Sequence, residues 1–177
     1  MCKMDELIEK LKRKDENAFK EVMKMYKGQI FNYLLLMLGN REQAEELTQD
    51  TFVRVFFKAG SLRTDNLKAW IYKIATNLAL SEFRKNKRKR YFSLDDVNEA
   101  NYSYDQKLGE NIVIEEALSH LSEKYRIPLI MKEVDNFSFE EMSDILKKPV
   151  GTLKSLVFRG KEKMRSKMEV QFGGNNG

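Results

Sequence analysis

The apolar residues of this chain recur at the spacing of amphipathic helices, and the pattern therefore predicts an all-α fold. A short helix is expected around residues 4–11. Asp15 can cap a long second helix that should stop at Gly39 and Asn40. A third helix is predicted over residues 41–59 and a fourth over residues 67–90.

The third predicted helix carries two different faces. Its inward positions are Ala44, Leu47, Thr48, Thr51, Phe52, Val55 and Ala59. Another side carries Glu42, Glu45, Glu46, Gln49 and Val53, with Asp50 beside it. An acidic strip is usually solvated, yet the chain's other surfaces are basic, so a protein partner for this strip is a second interpretation.

The fourth predicted helix begins with an apolar face and ends with a cationic segment. The buried face is expected to include Ala69, Trp70, Ile71, Tyr72, Ile74, Ala75, Phe83 and either Leu78 or Ala79. Another side is left with Lys73, Thr76, Asn77 and Arg84. Six of the seven residues 84–90 are basic. Such a segment suits a phosphate backbone, and a solvated helix end is the alternative interpretation.

Small and polar residues at positions 60–66 predict a loop immediately before the fourth helix. Its aromatic neighbours are Phe56, Phe57, Trp70 and Tyr72. Aromatic faces stack on unpaired bases, with a gain of roughly 1 to 3 kcal/mol for each base. The loop is therefore a candidate base-binding site, and burial of these four aromatics in a core is the competing interpretation.

The helical pattern stops over residues 91–109, which are rich in Asn, Asp, Ser and Tyr. This composition predicts a flexible linker, and the fold class is therefore two small helical domains joined by that linker. The second domain should open with a helix over residues 112–121. Ser122 can cap the next helix, which Pro128 is expected to kink or to start late.

A short helix, a tight turn and a basic helix complete the second domain. After a turn at Asp135 and Asn136, Ser138 and Glu141 form a capping-box signature. The turn KKPV follows, and a last helix begins at Gly151. Its inward residues are Leu153, Val157, Met164 and Met168, and its outward residues are Thr152, Lys154, Ser155, Phe158, Arg159, Lys161, Lys163 and Arg165. This layout is that of a helix-turn-helix motif.

Charge is segregated along the chain. The net charge of +5 combines +7 over residues 61–90, −6 over residues 91–120 and +4 over residues 151–177. Two basic blocks on either side of an acidic one indicate two contacts with a polyanion. With one cysteine, Cys2, and one histidine, His120, an intramolecular disulfide and the usual zinc sites are excluded, and no cofactor is expected. The charged N-terminus and the lack of a long apolar run predict a cytoplasmic protein without membrane contact.

Five blocks of this sequence together resemble a bacterial RNA polymerase sigma factor of the extracytoplasmic-function (ECF) type, in the sigma-70 family. They are AFKEVMKMY, LGNREQAEELTQDTFVRVF, LKAWIYKIATNLALSEFRK, LSEKYRIPLIMKE and FSFEEMSDILKKPVGTLKSLVFRGKEKMR. The resemblance implies a sigma-2 domain over residues 1–90, a linker over 91–109, a sigma-4 domain over 110–172 and a disordered tail over 173–177. It also implies an alternative sigma factor that directs promoter-specific transcription initiation and catalyses no bond change.

The resemblance further implies partners and residue roles. The partners are core RNA polymerase, contacted at the β′ clamp and the β flap, promoter DNA and an anti-sigma factor. The polymerase contact would fall on Glu46, Gln49 and Asp50. Recognition of the −10 element would fall on Arg63, Thr64, Asp65, Asn66, Leu67, Trp70, Lys73, Asn77 and Arg84. Recognition of the −35 element would fall on Thr152, Lys154, Ser155, Phe158 and Arg159.

One departure and two rival functions accompany the resemblance. Leu156 stands where the family most often has arginine, so either the −35 preference differs or the contact moves to Lys154. A helix-turn-helix repressor or activator would bind a palindromic duplex without polymerase. A nuclease or recombinase would need a cluster such as Glu45, Glu46 and Asp50, but these residues share one helix with no histidine nearby.

Overall fold

The computed structural model describes residues 2–92 and 112–173, and within these ranges every regular element is helical. The predicted all-α class with two helical domains is confirmed. The elements in chain order are α1 (Lys3–Lys12), α2 (Glu16–Leu38), α3 (Arg41–Lys58), a 3₁₀ turn (Ala59–Ser61), α4 (Leu67–Phe92), α5 (Ile112–Ser119), α6 (Glu123–Glu133), α7 (Phe139–Leu146) and α8 (Val150–Gly173).

The chain divides into two compact units. The first comprises residues 1–34 and 42–93, and the second comprises residues 35–41 and 94–177. The predicted linker over residues 91–109 overlaps α4, which extends to Phe92, and the rest of that linker lies outside the described residues. In the predicted tail, Gly173 is the last residue of α8, and residues 174–177 also lie outside the description.

Local sequence signals set the ends of α2 as predicted. Asp15 Oδ1 accepts a hydrogen bond of 2.8 Å from the Ala18 backbone N–H and so caps the first turn. Gly39 has a φ of 65° and follows the last residue of α2, because glycine adopts this left-handed conformation without steric cost.

The core of the first unit contains the inward face of α3 and most of the apolar face of α4. All seven positions predicted to face inward on α3 are buried: Ala44, Leu47, Thr48, Thr51, Phe52, Val55 and Ala59, the last of them in the 3₁₀ turn. On α4, Thr76 was expected on the polar side, and that expectation is wrong because Thr76 is fully buried. Its Oγ1 donates to the Tyr72 carbonyl at 2.7 Å, so the hydroxyl is satisfied within the helix.

In the second unit, α6 begins at Glu123, directly after Ser122, and contains Pro128. Of the two effects expected from Pro128, a kink or a late start, the late start is therefore wrong. A proline removes one backbone donor, and burial of the surrounding apolar side chains offsets that loss. Those buried neighbours are Ile127, Leu129, Ile130 and Met131. Ser122 is the N-cap residue, as predicted, but its side chain makes no capping hydrogen bond.

Arg126 is a fully buried cation in α6, with 1% of its surface exposed. Its guanidinium donates to the backbone carbonyl of Leu118 at 3.0 Å and to that of Leu121 at 2.5 Å. These carbonyls belong to the end of α5 and the residues that follow it, where the Leu118 carbonyl also accepts the Leu121 backbone N–H at 3.0 Å. Arg126 therefore fixes the connection between α5 and α6.

The predicted helix-turn-helix is present in the second unit as α7, a turn and α8. Ser138 and Glu141 form the predicted capping box, with hydrogen bonds of 2.8 and 3.1 Å. Lys147 adopts a left-handed φ of 57°, and α8 starts at Val150, one residue earlier than expected. A Cβ on Gly160 would lie 3.4 Å from the Tyr125 carbonyl oxygen, so α8 packs against α6 at this position.

Candidate polymerase- and DNA-binding surfaces

The outer face of α3 is acidic at its beginning and apolar near its end. Glu46, Gln49 and Asp50 are all exposed. Their spacing of three and four residues places them on one side of the helix. Val53, 53% exposed, continues the same side by one turn. We call these four residues the α3 face. Two exposed carboxylates one turn apart, next to an apolar residue, suit a basic protein surface better than they suit DNA.

The loop before α4 holds several predicted site residues in different environments. Arg63 and Asp65 are exposed. The Asn66 backbone N–H donates to Thr64 Oγ1 at 3.1 Å, and Asn66 Oδ1 accepts from the Ala69 N–H at 3.0 Å. Asn66 is therefore the N-cap of α4, a role that its position before an apolar run would have indicated.

Leu67 differs from the other predicted loop residues. It is the first residue of α4 and only 2% of its surface is exposed. Its side chain belongs to the core of the first unit and therefore does not present a contact surface to a base.

The polar side of α4 is one continuous stripe. Trp70, Lys73, Asn77 and Arg84 are spaced at multiples close to the helical repeat, so they fall within about 60° of one another around the helix axis. Asn77 and Arg84 are exposed, and Trp70 and Lys73 are half-buried. We call these four residues the α4 stripe. It combines an amide, a large aromatic ring and two cations, which are groups that bind bases and phosphates.

The aromatics near the loop divide between core and surface. Tyr72 is fully buried and therefore unavailable to a base. Phe57 is 69% exposed, and its ring centroid lies 5.7 Å from that of the half-buried Phe56 in an edge arrangement. Phe57 and the half-buried Trp70 and Phe56 retain accessible surface, so the stacking interpretation remains open for these three residues.

The cationic end of α4 exposes its basic side chains to solvent. Arg84, Lys85, Lys87, Arg88 and Lys89 are exposed, and the side chain of Arg90 lies outside the described set. Lys85 pairs with Glu82 at 3.6 Å. An exposed pair of this kind contributes little to stability, so the segment remains strongly positive and attractive to phosphate.

The exposed side of α8 carries every residue predicted to contact the −35 element. Thr152, Ser155 and Arg159 follow one stripe, and Lys154 and Phe158 follow the adjacent stripe; all five are exposed. Phe158 is a large apolar side chain with 61% exposure, the type of group that contacts a thymine methyl in the major groove. The expectation that Lys161, Lys163 and Arg165 face outward also holds.

Leu156 lies on the buried side of α8, within about 60° of Thr152 and Arg159 around the helix axis, and only 4% of its surface is exposed. Leu153 and Val157, on the same helix, are also buried. Leu156 is therefore a core residue here.

Across residues 2–92 and 112–173, no three His, Cys, Asp or Glu side chains come together as the ligands of a metal would. Glu45, Glu46 and Asp50, the carboxylates of the enzyme hypothesis, are exposed along α3. No helix in the described part of the chain combines the length and the apolar character needed to cross a bilayer.

The second unit presents the exposed side of α8 in a helix-turn-helix, and the first unit carries the α3 face and the α4 stripe. Together these features define a DNA-binding transcription protein. Comparison with known families identifies its type. Sigma-70 region 2 matches residues 22–89, and Sigma-70, region 4 matches residues 112–164.

Whole-chain relatives agree with these matches. The chain is 30% identical over 176 residues to the ECF RNA polymerase sigma factor SigW of Bacillus subtilis, covering 91% of this chain and 94% of SigW. It is 24% identical over 178 residues to the ECF RNA polymerase sigma-E factor of Escherichia coli, covering 92% of this chain and 93% of that protein. The chain belongs to the ECF sigma factors of the sigma-70 family, and it is an alternative sigma factor that directs promoter-specific transcription initiation.

Solved structures give the same fold. The sigma factor RpoE of Bartonella quintana, in complex with the anti-sigma factor NepR, superposes with a TM-score of 0.72 at 26% identity, covering 86% of this chain and 97% of that one. CnrH, in complex with the cytosolic domain of CnrY, superposes with a TM-score of 0.70 at 15% identity, covering 93% of this chain and 96% of that one. The second likeness concerns the fold alone.

Proposed function

We propose that this sigma factor divides promoter recognition among three surfaces. The α3 face binds the β′ clamp of core RNA polymerase. The α4 stripe and the preceding loop bind and trap unpaired bases of the −10 element. The exposed side of α8 reads the −35 element as duplex DNA, with the second unit bound at the β flap. The protein itself makes and breaks no covalent bond.

The observation that carries the proposal is the contrast between α3 and α4 in the first unit. The α3 face presents Glu46 and Asp50, whereas the α4 stripe presents Lys73 and Arg84. DNA would be repelled by the first set and attracted by the second. One unit therefore offers separate surfaces to a protein and to nucleic acid, as a polymerase subunit that also touches the promoter must.

Roles within the DNA surfaces follow from side-chain chemistry. Asn77 is exposed on the α4 stripe, and its amide can pair bidentately with adenine. Trp70 and Phe57 provide ring surface for bases that leave the stack. On α8, Arg159 and Lys154 provide the donors that guanine accepts in the major groove, and Phe158 provides apolar contact.

An anti-sigma factor is proposed as a further partner. The support is the likeness to Bartonella quintana RpoE, which was solved with the anti-sigma factor NepR. Binding to core polymerase also implies that the protein acts in the cytoplasm, where that enzyme transcribes.

The polymerase assignment is tested by charge reversal on α3. Asp50→Lys is compared with Glu21→Lys, which reverses an exposed carboxylate on a different helix, α2. We expect Asp50→Lys to weaken binding of the full-length protein to purified core polymerase by about tenfold or more, with no change for Glu21→Lys. Equal affinities for the two variants would overturn the assignment, and binding of promoter DNA without polymerase would instead favour a helix-turn-helix repressor.

A further inference from the structure

The ring of Phe139, the first residue of α7, is shared by two lysines from other helices. Lys132 Nζ, from α6, lies 4.7 Å from the ring centroid. Lys154 Nζ, from α8, lies 5.8 Å from the same centroid. Both distances are within the range of cation–π attraction, in which the negative face of an aromatic ring attracts an ammonium group.

The ring is presented from a fixed backbone. Phe139 directly follows Ser138, and the capping box between Ser138 and Glu141 holds both residues at the start of α7. Phe137 and Met142, one on each side in sequence, are 1% and 0% exposed, so this stretch is anchored in the core. Phe139 itself is half-buried, which leaves part of its ring at the surface.

The two lysines differ in what else they do. Lys132 is half-buried, and its ammonium also donates to the Phe137 carbonyl at 3.2 Å, so it belongs to the local framework. Lys154 is exposed and points from the helix that carries the predicted −35 contacts. An ammonium has three N–H donors, and a ring on one side of it does not occupy them all, so donors of Lys154 remain available to DNA.

We propose that Phe139 is a positioning residue for Lys154 at the −35 element. An exposed lysine loses side-chain entropy when it orders against DNA, and a ring that already restricts its ammonium reduces that cost. Held in this way, the ammonium meets the O6 and N7 acceptors of a guanine in a preferred geometry. The inference rests on the proposed function, in which Lys154 contacts the −35 element. The Phe139 ring would add selectivity at the base pair that Lys154 contacts.

The test is a double-mutant cycle in holoenzyme assembled from core polymerase and the full-length chain. The probe is a promoter fragment selected by the wild-type holoenzyme from a duplex library with a randomised upstream segment. Phe139→Leu keeps an apolar side chain and removes the ring. We expect it to weaken binding about two- to fivefold in the wild-type background and to have no further effect in the Lys154→Met background. Phe139→Tyr, which keeps the ring, should restore wild-type binding.

Three outcomes would overturn the proposal in distinguishable ways. If Phe139→Leu weakens binding equally with and without Lys154, the ring acts on packing alone. If the loss disappears in the Lys132→Met background instead, Phe139 acts through Lys132. If Lys154→Met leaves binding and base preference unchanged, then Lys154 does not read the element, and its place in the proposed function fails as well.

Discussion

The hydroxyl of Tyr33 lies 2.9 Å from Thr76 Oγ1, which joins α2 to α4 inside the first unit. The rings of Tyr33 and Tyr72 also pack, with centroids 4.9 Å apart. Asn77 follows Thr76 directly and is exposed. The residue proposed to contact bases is therefore the immediate neighbour of a buried, hydrogen-bonded residue of the core. Such backing restricts the motion of the α4 stripe when it meets DNA.

Tyr33→Phe should lower the free energy of unfolding modestly. The substitution removes one hydroxyl, while Thr76 keeps its hydrogen bond to the Tyr72 carbonyl, so the expected loss is about 1 kcal/mol. Urea unfolding measures it. A single hydrogen bond contributes about 0.5 to 1.5 kcal/mol. A loss of roughly 3 kcal/mol or more would therefore mean that the hydroxyl supports more interactions than these contacts.

Asn77→Ala should change base preference in the −10 region without changing stability or polymerase affinity. The side chain is exposed on the α4 stripe, and surface substitutions usually alter stability by less than about 0.5 kcal/mol. Asn32→Ala is the matched control, because Asn32 is an exposed asparagine on α2. Promoter selection by holoenzyme reports the preference. Loss of polymerase binding in Asn77→Ala alone would show that the residue has a structural role.

Arg126→Met should lower stability, whereas Arg159→Met should weaken recognition of the −35 element. Arg126 is buried and donates to backbone carbonyls, so its loss removes several hydrogen bonds of a buried charged group and should cost about 2 to 4 kcal/mol of stability. Arg159 is exposed on α8, so its loss should leave stability unchanged and weaken recognition of the −35 element by about 1 to 3 kcal/mol. Urea unfolding and holoenzyme binding to the selected promoter separate the two effects. Equal stability losses would contradict this division.

Glu115→Gln should alter the dependence of stability on pH. Burial raises the pKa of Glu115, so folding favours the protonated carboxyl. The stability that this group contributes is full below its unfolded pKa and is lost as pH rises through the folded pKa. The advantage of the glutamine variant over wild type should therefore grow from acidic to neutral pH. Glu116→Gln, at an exposed neighbouring position, is the control, and identical pH profiles for the two variants would refute the assignment.

The helices and their faces were largely predictable, because burial repeats at the helical period. The inward positions on α3, the capping box at Ser138 and Glu141, and the stop at Gly39 follow from local chemistry that the sequence displays directly. The polarity of Thr76 predicts the solvated side of α4, whereas the structure buries it. Its hydroxyl is instead satisfied by Tyr72 and Tyr33, and periodicity does not reveal such pairings.

Contacts between distant positions were not predictable from spacing. The two lysines that share the Phe139 ring come from helices on either side of α7, and no local pattern brings them together. Arg126 looks like an ordinary charged residue in α6, and only its burial identifies it as the group that fixes the end of α5. The sequence shows that Leu156 stands where the family most often has arginine. Only the structure shows that this leucine is buried in the core.

The most direct test of the account is transcription in vitro with purified core polymerase and the full-length chain on a library of randomised promoters. The account predicts that transcripts depend on this protein and that the recovered promoters share two motifs at a fixed separation, one upstream and one near the start site. Asn77→Ala should change the downstream motif, and Arg159→Met should change the upstream one. Failure to start transcription at any promoter, with DNA binding intact, would contradict it.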